Sequence, residues 1–202
     1  MIDILNTGYT VLEPDIDSYN TLADSRGWPR GIDDKGYVVS VWTCLTFRKA
    51  KLYGQFPPTF LLRLLSLFPT VEDDKIIHCP SGILEGPGMT VDIISDELRC
   101  PKVIATAGEL PFEDGRFDLF ISDPPYSKED SKKYGCKPFP VKKSFAEAYR
   151  VLRPGGVYAQ LHVRPPQRNR TQWKTRALIG VDCGPNKRMR VLTLLQKNGW
   201  QL

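Results

Sequence analysis

The chain has 202 residues, 41% of them apolar, and a net charge of +5 at pH 7, which suits one globular domain with a full core. No apolar run reaches membrane-spanning length, since the longest, over 60–68, is broken by Arg63 and Ser66, and the N-terminus has no signal-peptide pattern. Five widely spaced cysteines without a Cys-x-x-Cys pair argue against a zinc site and a disulfide framework, so the expectation is a cytoplasmic protein with free thiols.

The net charge conceals an asymmetry. Residues 1–123 hold 11 Lys and Arg against 19 Asp and Glu, a net −8, whereas residues 124–202 hold 17 against 4, a net +13. A basic half of this kind is either a solvated face or the electrostatic footprint of a polyanion.

Taken in chain order, residues 1–36 are rich in Asp, Gly and turn pairs and predict irregular chain. The β-branched and aromatic segment 37–47 predicts a strand. Pro57-Pro58-Thr59 opens a helical pattern of leucines that Pro69 ends. Short buried strands follow over 75–78, 89–94, 103–107 and 117–122. Helical spacing of Phe145, Ala148, Tyr149 and Leu152 predicts a helix over 142–152, stopped by Pro154-Gly155-Gly156 before a strand over 157–163. The last two strands, over 177–181 and 189–196, flank the turn Cys183-Gly184-Pro185-Asn186 and read as a hairpin. The pattern predicts an α/β fold with an open, mostly parallel sheet and a C-terminal antiparallel hairpin. Ligands bind such sheets beyond the carboxyl ends of the strands.

One of those ends carries Asp123-Pro124-Pro125-Tyr126. Each proline fixes its own φ, removes a backbone donor and extends the residue before it, so the turn is stiff. The Asp123 carboxylate and the Pro124 carbonyl can converge on one amino group, and Tyr126 can stack on a flat ring. That suits a planar substrate with an exocyclic amine. A plain Pro-rich turn at a strand end is the alternative.

The tetrapeptide resembles motif IV of S-adenosylmethionine (SAM)-dependent amino-methyltransferases, especially those acting on adenine N6 or cytosine N4. Other segments are similar to the same class I methyltransferase family in the same order. Lys51 to Pro58, with Phe56, resembles the Phe-Pro-Pro start of a helix beside the cofactor. His78-Cys79-Pro80-Ser81-Gly82 stands at the glycine-loop motif but departs from it: His78 is near the acidic position, only Gly82 is well placed, and there is no room for a full helix before the next strand. The resemblance therefore implies a Rossmann-like fold with a shortened first helix. Asp92 stands where the family hydrogen-bonds the ribose hydroxyls, with Ile93 next to it. The segment 103–118 resembles the third-to-fourth strand region, with Thr106 where Asp is common and with Ala107 and Leu110 beside it. Glu147 to Gly156 resembles the structural helix–turn before the fifth strand.

The resemblance implies SAM as cofactor, held by Phe56, Pro80, Gly82, Asp92, Ile93, Thr106, Ala107, Leu110 and Asp123, with no metal. It implies Asp123, Pro124 and Tyr126 as the catalytic set, and Pro125, Tyr126, Lys128, Lys132 and Lys133 as substrate contacts. A basic track runs over Lys128–Lys143 and continues through Arg164, Arg168, Arg170, Lys174 and Arg176 with Trp173 interleaved. The expected partner is nucleic acid, DNA ahead of RNA, with the base flipped from a duplex. Residues 1–50 read as an N-terminal extension available for substrate recognition, and 51–202 as the methyltransferase domain. Competing readings are an RNA base methyltransferase, a catalytically dead relative that binds nucleic acid, and protein glutamine methylation, which usually has Asn at the position of Asp123.

Overall fold

A computed structural model describes residues 10–45, 56–184 and 187–199. Where the sequence predicts irregular chain, residues 16–26 form helix α1 (Ile16–Arg26). Its ends are written locally. The Asp15 carboxylate accepts from the Ser18 amide at 2.9 Å, and Gly27 closes the helix at φ +63. Between those caps only Tyr19, Asn20 and Ala23 are buried, so no apolar stripe betrays it. Asn20 fixes the outgoing chain by exchanging two hydrogen bonds with the Gly31 backbone.

The hairpin of β1 (Ile32–Asp33) and β2 (Val38–Thr43) follows, then α2 (Phe60–Ser66). The chain continues through β3 (Ile76–His78), β4 (Met89–Asp92), β5 (Val103–Ile104) and β6 (Phe117–Ser122). After β6 come helices α3 (Lys128–Lys133) and α4 (Val141–Val151), and then β7 (Leu152–His162), β8 (Trp173–Asp182) and β9 (Arg190–Lys197). Residues 79–88, between β3 and β4, carry no helix, in line with the shortened loop expected there. Strand β7 starts five residues earlier than expected. Its pairing with β6 shifts from Phe117↔Leu152 to Leu119↔Val157, so Pro154-Gly155-Gly156 forms an irregularity within the strand. A Cβ on Gly156 would sit 3.0 Å from the Arg153 and Asp118 carbonyl oxygens.

The nine described strands make one sheet in the order β1-β2-β8-β9-β7-β6-β3-β4-β5. Pairs β2/β8, β7/β6, β6/β3, β3/β4 and β4/β5 are parallel, and β9 lies antiparallel between β7 and β8. This is a Rossmann-like, mostly parallel α/β fold ending in an antiparallel hairpin, as expected. Two of the predicted hairpin-turn residues, Pro185 and Asn186, lie outside the described residues.

Alternation along each strand feeds two cores. Leu119, Ile121, Val157 and Ala159 meet α1 and α2 on one face; Phe120, Tyr158 and Leu195 meet α4 on the other. The expected domain division at residue 50 falls within 46–55, outside the described residues. On either side of it the chain shares one sheet and one core, with Trp42 of β2 against Phe60 of α2 at 5.9 Å.

Arg63, which interrupts the leucine run, is 1% exposed. It donates to Thr59 Oγ1, the Tyr19 hydroxyl and the Thr43 carbonyl, and its guanidinium lies 3.6 Å from the Trp28 ring centroid. One cation thus ties α1, β2 and α2 together. Arg63→Ala should cost about 3 kcal/mol, because it opens a cavity and strips a buried carbonyl of its donor. Urea unfolding checks this, and a loss below about 0.5 kcal/mol would show that the cation is dispensable.

Candidate active site

The chain leaves β3 and runs to β4 and β5 on one side, then returns to β6 on the other side of β3. Adjacent strands whose successors run in opposite directions leave a crevice at their carboxyl ends, where ligands bind in open α/β sheets. The loop after β3 is Cys79-Pro80-Ser81-Gly82 and the loop after β6 is Asp123-Pro124-Pro125-Tyr126. They start side by side, with the Cys79 amide donating to the Ile121 carbonyl at 3.0 Å.

A cleft of about 750 Å³ opens there. Its floor is Pro80, Gly82, Asp92, Ile93, Thr106 and Ala107 from the ends of β3, β4 and β5, with Asp123 and Pro125 from the β6 turn. Phe56, Leu61 and Leu62 from the α2 side form one wall, and Tyr134, Cys136 and Phe139 from the α3–α4 connection another. The second wall was missed by sequence reasoning, because a short connection of Lys, Gly and Pro gives no periodic signal.

Asp92 is 7% exposed. Its Oδ2 accepts from the Gly82 amide at 2.9 Å and its Oδ1 from the Ile94 amide at 3.1 Å. It therefore braces the glycine loop from the neighbouring strand while reaching the cleft. Gly82 has φ +58, and a Cβ on it would meet no protein atom within 4 Å. Its left-handed backbone is what demands glycine. Ile93 is 52% exposed at the cleft. Thr106 opens a tight turn, bridged to Glu109, with its Oγ1 3.4 Å from the Gly108 amide.

His78 is fully buried, with Nε2 donating to the Pro87 carbonyl at 2.9 Å. It pins the far end of the helix-free loop to β3. Burial lowers its pKa to about 4, so the folded state holds it neutral. The unfolded chain binds its proton near 6.5, so this contribution to stability is present above pH 6.5 and lost as the pH falls toward 4. Relative to His78→Gln, the native chain should lose on the order of 3 kcal/mol across that window. Unfolding midpoints at pH 7 and pH 4 test it, and parallel curves for the two proteins would refute it.

Leu110, expected beside the cofactor, is in the core and does not line the cleft. Its amide donates to Glu147 Oε2 at 2.7 Å. Arg150 holds the same carboxylate through two contacts of 2.8 Å, reaches the Leu110 and Phe112 carbonyls, and pairs with Asp114. Helix α4 thereby clamps 110–114, the continuation of the cleft floor at Thr106 and Ala107. Arg150→Ala should leave these carbonyls unpaired and weaken ligand binding in the cleft about tenfold, with a stability loss of about 2 kcal/mol. Calorimetric titration with SAM, beside urea unfolding, reads both; an unchanged affinity would limit the clamp to stability.

The β6 turn differs most from expectation. The Asp123 side chain is 7% exposed. Tyr126 does not stack over the cleft and does not line it. Its hydroxyl donates to Asp123 Oδ1 at 2.5 Å, and its ring packs edge-on against His162 with centroids 4.8 Å apart. Arg190, which sequence reasoning missed, donates to Asp123 Oδ2 at 3.4 Å from β9, and its guanidinium lies 5.7 Å from the Tyr126 centroid. Burial pushes the Asp123 carboxyl up to about 6, and the Arg190 charge and the Tyr126 hydroxyl pull against that rise. Pro124 is buried, and the cleft takes Pro125 instead.

Lys128, Lys132 and Lys133 are exposed on α3 but do not line the cleft; Lys137 does. Lys142, Lys143, Arg164, Arg168, Arg170 and Lys174 are exposed as well. The expected track loses two members. Trp173 is 2% exposed, packed among Phe145, Tyr149 and Tyr158. Arg176 is 3% exposed and paired with Glu13. Both belong to β8, whose pairing with β9 shifts register between Thr175 and Ala177, and both side chains are buried. Among the described residues, no cluster of metal-ligating side chains occurs and no helix is long and apolar enough to cross a membrane.

No family model matches the chain, and no curated protein matches it significantly. Among solved structures, the PH0226 protein from Pyrococcus horikoshii OT3 is similar at 18% identity over 69% of this chain and 88% of that one, with a TM-score of 0.45. The antibiotic-resistance methyltransferase Kmr is similar at 14% identity over 74% and 99%, with a TM-score of 0.44. A geranyl diphosphate methyltransferase in complex with SAM is similar at 10% identity over 69% and 90%, with a TM-score of 0.41. At TM-scores below 0.5 these likenesses carry no weight for the chemistry, which rests on the strand order and the cleft.

Proposed function

We propose that this chain is an SAM-dependent methyltransferase that methylates an exocyclic amino nitrogen of a nucleobase, with adenine N6 in DNA as the first candidate. The observation that carries the reading is Asp123: a buried carboxylate in an Asp-Pro-Pro-Tyr turn, at the switch point of the sheet and in the floor of the cleft. A volume of about 750 Å³ falls within the usual range for small-molecule sites. The lining suits SAM chemically. Phe56 and Ile93 offer apolar surface to an adenine ring, Thr106 offers a hydroxyl to its amino group, and each oxygen of Asp92 keeps a lone pair for ribose hydroxyls. Pro80, Gly82 and Ala107 add backbone that a ligand can approach closely.

When bound, SAM supplies a methyl group on a cationic sulfur, and the carbon–sulfur electron pair stays with the sulfur. The chain's part is positioning and electrostatics. Asp123 accepts an N–H of the substrate amine and so orients the nitrogen lone pair. As the new nitrogen–carbon bond forms, the nitrogen becomes acidic and its proton passes to Asp123, from which water removes it. A carboxyl pushed up to about 6 is matched to that task near neutral pH. The Tyr126 hydroxyl and Arg190 hold the carboxylate in place while the lone pairs they leave free face the substrate. The exposed lysines of α3 and of the start of α4 would contact phosphates without reading sequence.

Transfer of labelled methyl from SAM to separate pools of DNA, RNA and protein tests the reading. Label is expected in DNA. Label in RNA instead would keep the chemistry and change the polymer, and label only in protein, or none together with no SAM binding, would overturn the assignment. On the labelled pool, Asp123→Asn should lower transfer at least about 100-fold with SAM affinity held within about threefold.

A further inference from the structure

Arg190 stands 67 residues beyond Asp123 in sequence, and nothing in the chain's motifs connects them. Strand β9 brings them together. Val191 is opposite His162, the last residue of β7, so the residue before it lies beside the end of that strand. From there Arg190 reaches past His162 to the Asp-Pro-Pro-Tyr turn. Its Nη1 donates to Asp123 Oδ2, its guanidinium lies against the Tyr126 ring, and its side chain is 20% exposed. Its Nε is buried and has no hydrogen-bond partner among the described residues.

We propose that Arg190 is a positioning residue for the methyl transfer: its guanidinium holds the Asp123 carboxylate in its charged form and, with Tyr126, fixes which oxygens face the cleft. The proposal rests on the methyltransferase reading for its purpose but not for its physical content. Without Arg190, the buried carboxylate keeps only a neutral donor, the Tyr126 hydroxyl. Burial then acts with no opposing charge, and the acid holds its proton to higher pH. The other titratable groups around the pair are His162 of β7, Tyr134 at the end of α3, and Cys183 just after β8. Burial raises the Cys183 thiol and the Tyr126 hydroxyl, so both are neutral near pH 6, and His162 is held below its usual range by burial and by Arg164. Among the described residues, Arg190 is therefore the cation that opposes the effect of burial on Asp123.

The test is a carbon-13 titration of the aspartate carboxyls in the full chain, with Asp123 assigned by the resonance lost in Asp123→Asn. The native midpoint is expected near 6. Arg190→Met should raise it by about one to three units, and Arg190→Lys should restore part of the difference. A midpoint that stays within about 0.3 units in Arg190→Met overturns the proposal, because one unit corresponds to a tenfold change in the ionisation equilibrium. If Arg190→Met does not fold, Asp123→Asn combined with Arg190→Met removes both charges and should recover the fold; a double variant as unfolded as the single one would equally refute the pairing. The acid limb of the methyl-transfer profile should move with the carboxyl midpoint. Should the native chain transfer no methyl to any pool and bind no SAM, the methyltransferase reading falls, while the titration still decides whether Arg190 governs Asp123.

Discussion

The structure turns on one pairing, the parallel contact between β3 and β6 at the middle of the sheet. From β3 the chain builds outward through β4 and β5, and from β6 it builds the other way through β7. No strand bridges the carboxyl ends at that boundary, and both loops that leave it are free of helix where they start. The Cys79–Ile121 hydrogen bond fixes their separation. The cleft follows from this topology before any side chain is chosen. Side chains then decide what the cleft can hold: apolar walls at Phe56, Leu61 and Ile93, a braced carboxylate at Asp92, and a second carboxylate at Asp123 whose charge is contested.

That contest concerns where the charges lie. Asp92 ends β4, Asp123 directly follows β6, and both line the cleft, yet their neighbours differ. Asp92 accepts two backbone amides of the loops beside it, which makes it part of the loop architecture. Asp123 accepts one hydroxyl and one guanidinium, both from side chains. A carboxylate satisfied by backbone is fixed once the chain folds, whereas one satisfied by side chains can exchange a partner for a ligand. The same logic separates the arginines. Arg63, Arg150 and Arg153 reach backbone carbonyls and hold elements together, while Arg190 reaches a single carboxylate at the site.

Much of this was legible in the sequence because it was local. The strand over 117–122 and its proline turn stand out by composition, as do the helix of α4 and the final hairpin. Helix α1 was illegible because its signals are two caps and three buried residues, with no stripe between them. The misreadings at the site come from contacts that local sequence does not announce, most of them with residues distant along the chain. Tyr126 carries no mark that its hydroxyl will fold back on Asp123, and its ring lies on His162, from a strand that begins 26 residues later. Leu110 reads as a cofactor contact until Glu147, on a helix beyond two further elements, claims its amide. Trp173 and Arg176 look like members of a basic, aromatic track, but strand β8 starts at Trp173 and turns both inward. Charge composition describes the half of the chain and not the direction in which a given side chain points.

The position of β9 bears on the order in which the molecule is made. Strands β7 and β8 are not neighbours; β9 lies between them and joins the part of the sheet around β3 and β6 to the part around β2. On a ribosome, which releases the N-terminal part first, residues 76–162 can pair β3, β4, β6 and β7 while β2 waits for β8 and both wait for β9. The acid of the site therefore emerges well before the strand that carries its counter-charge, and contacts of such sequence separation form slowly. Strand β9, the last of the described strands, both joins the two parts of the sheet and completes the electrostatics of the cleft, so the sheet and the competent site reach completion together.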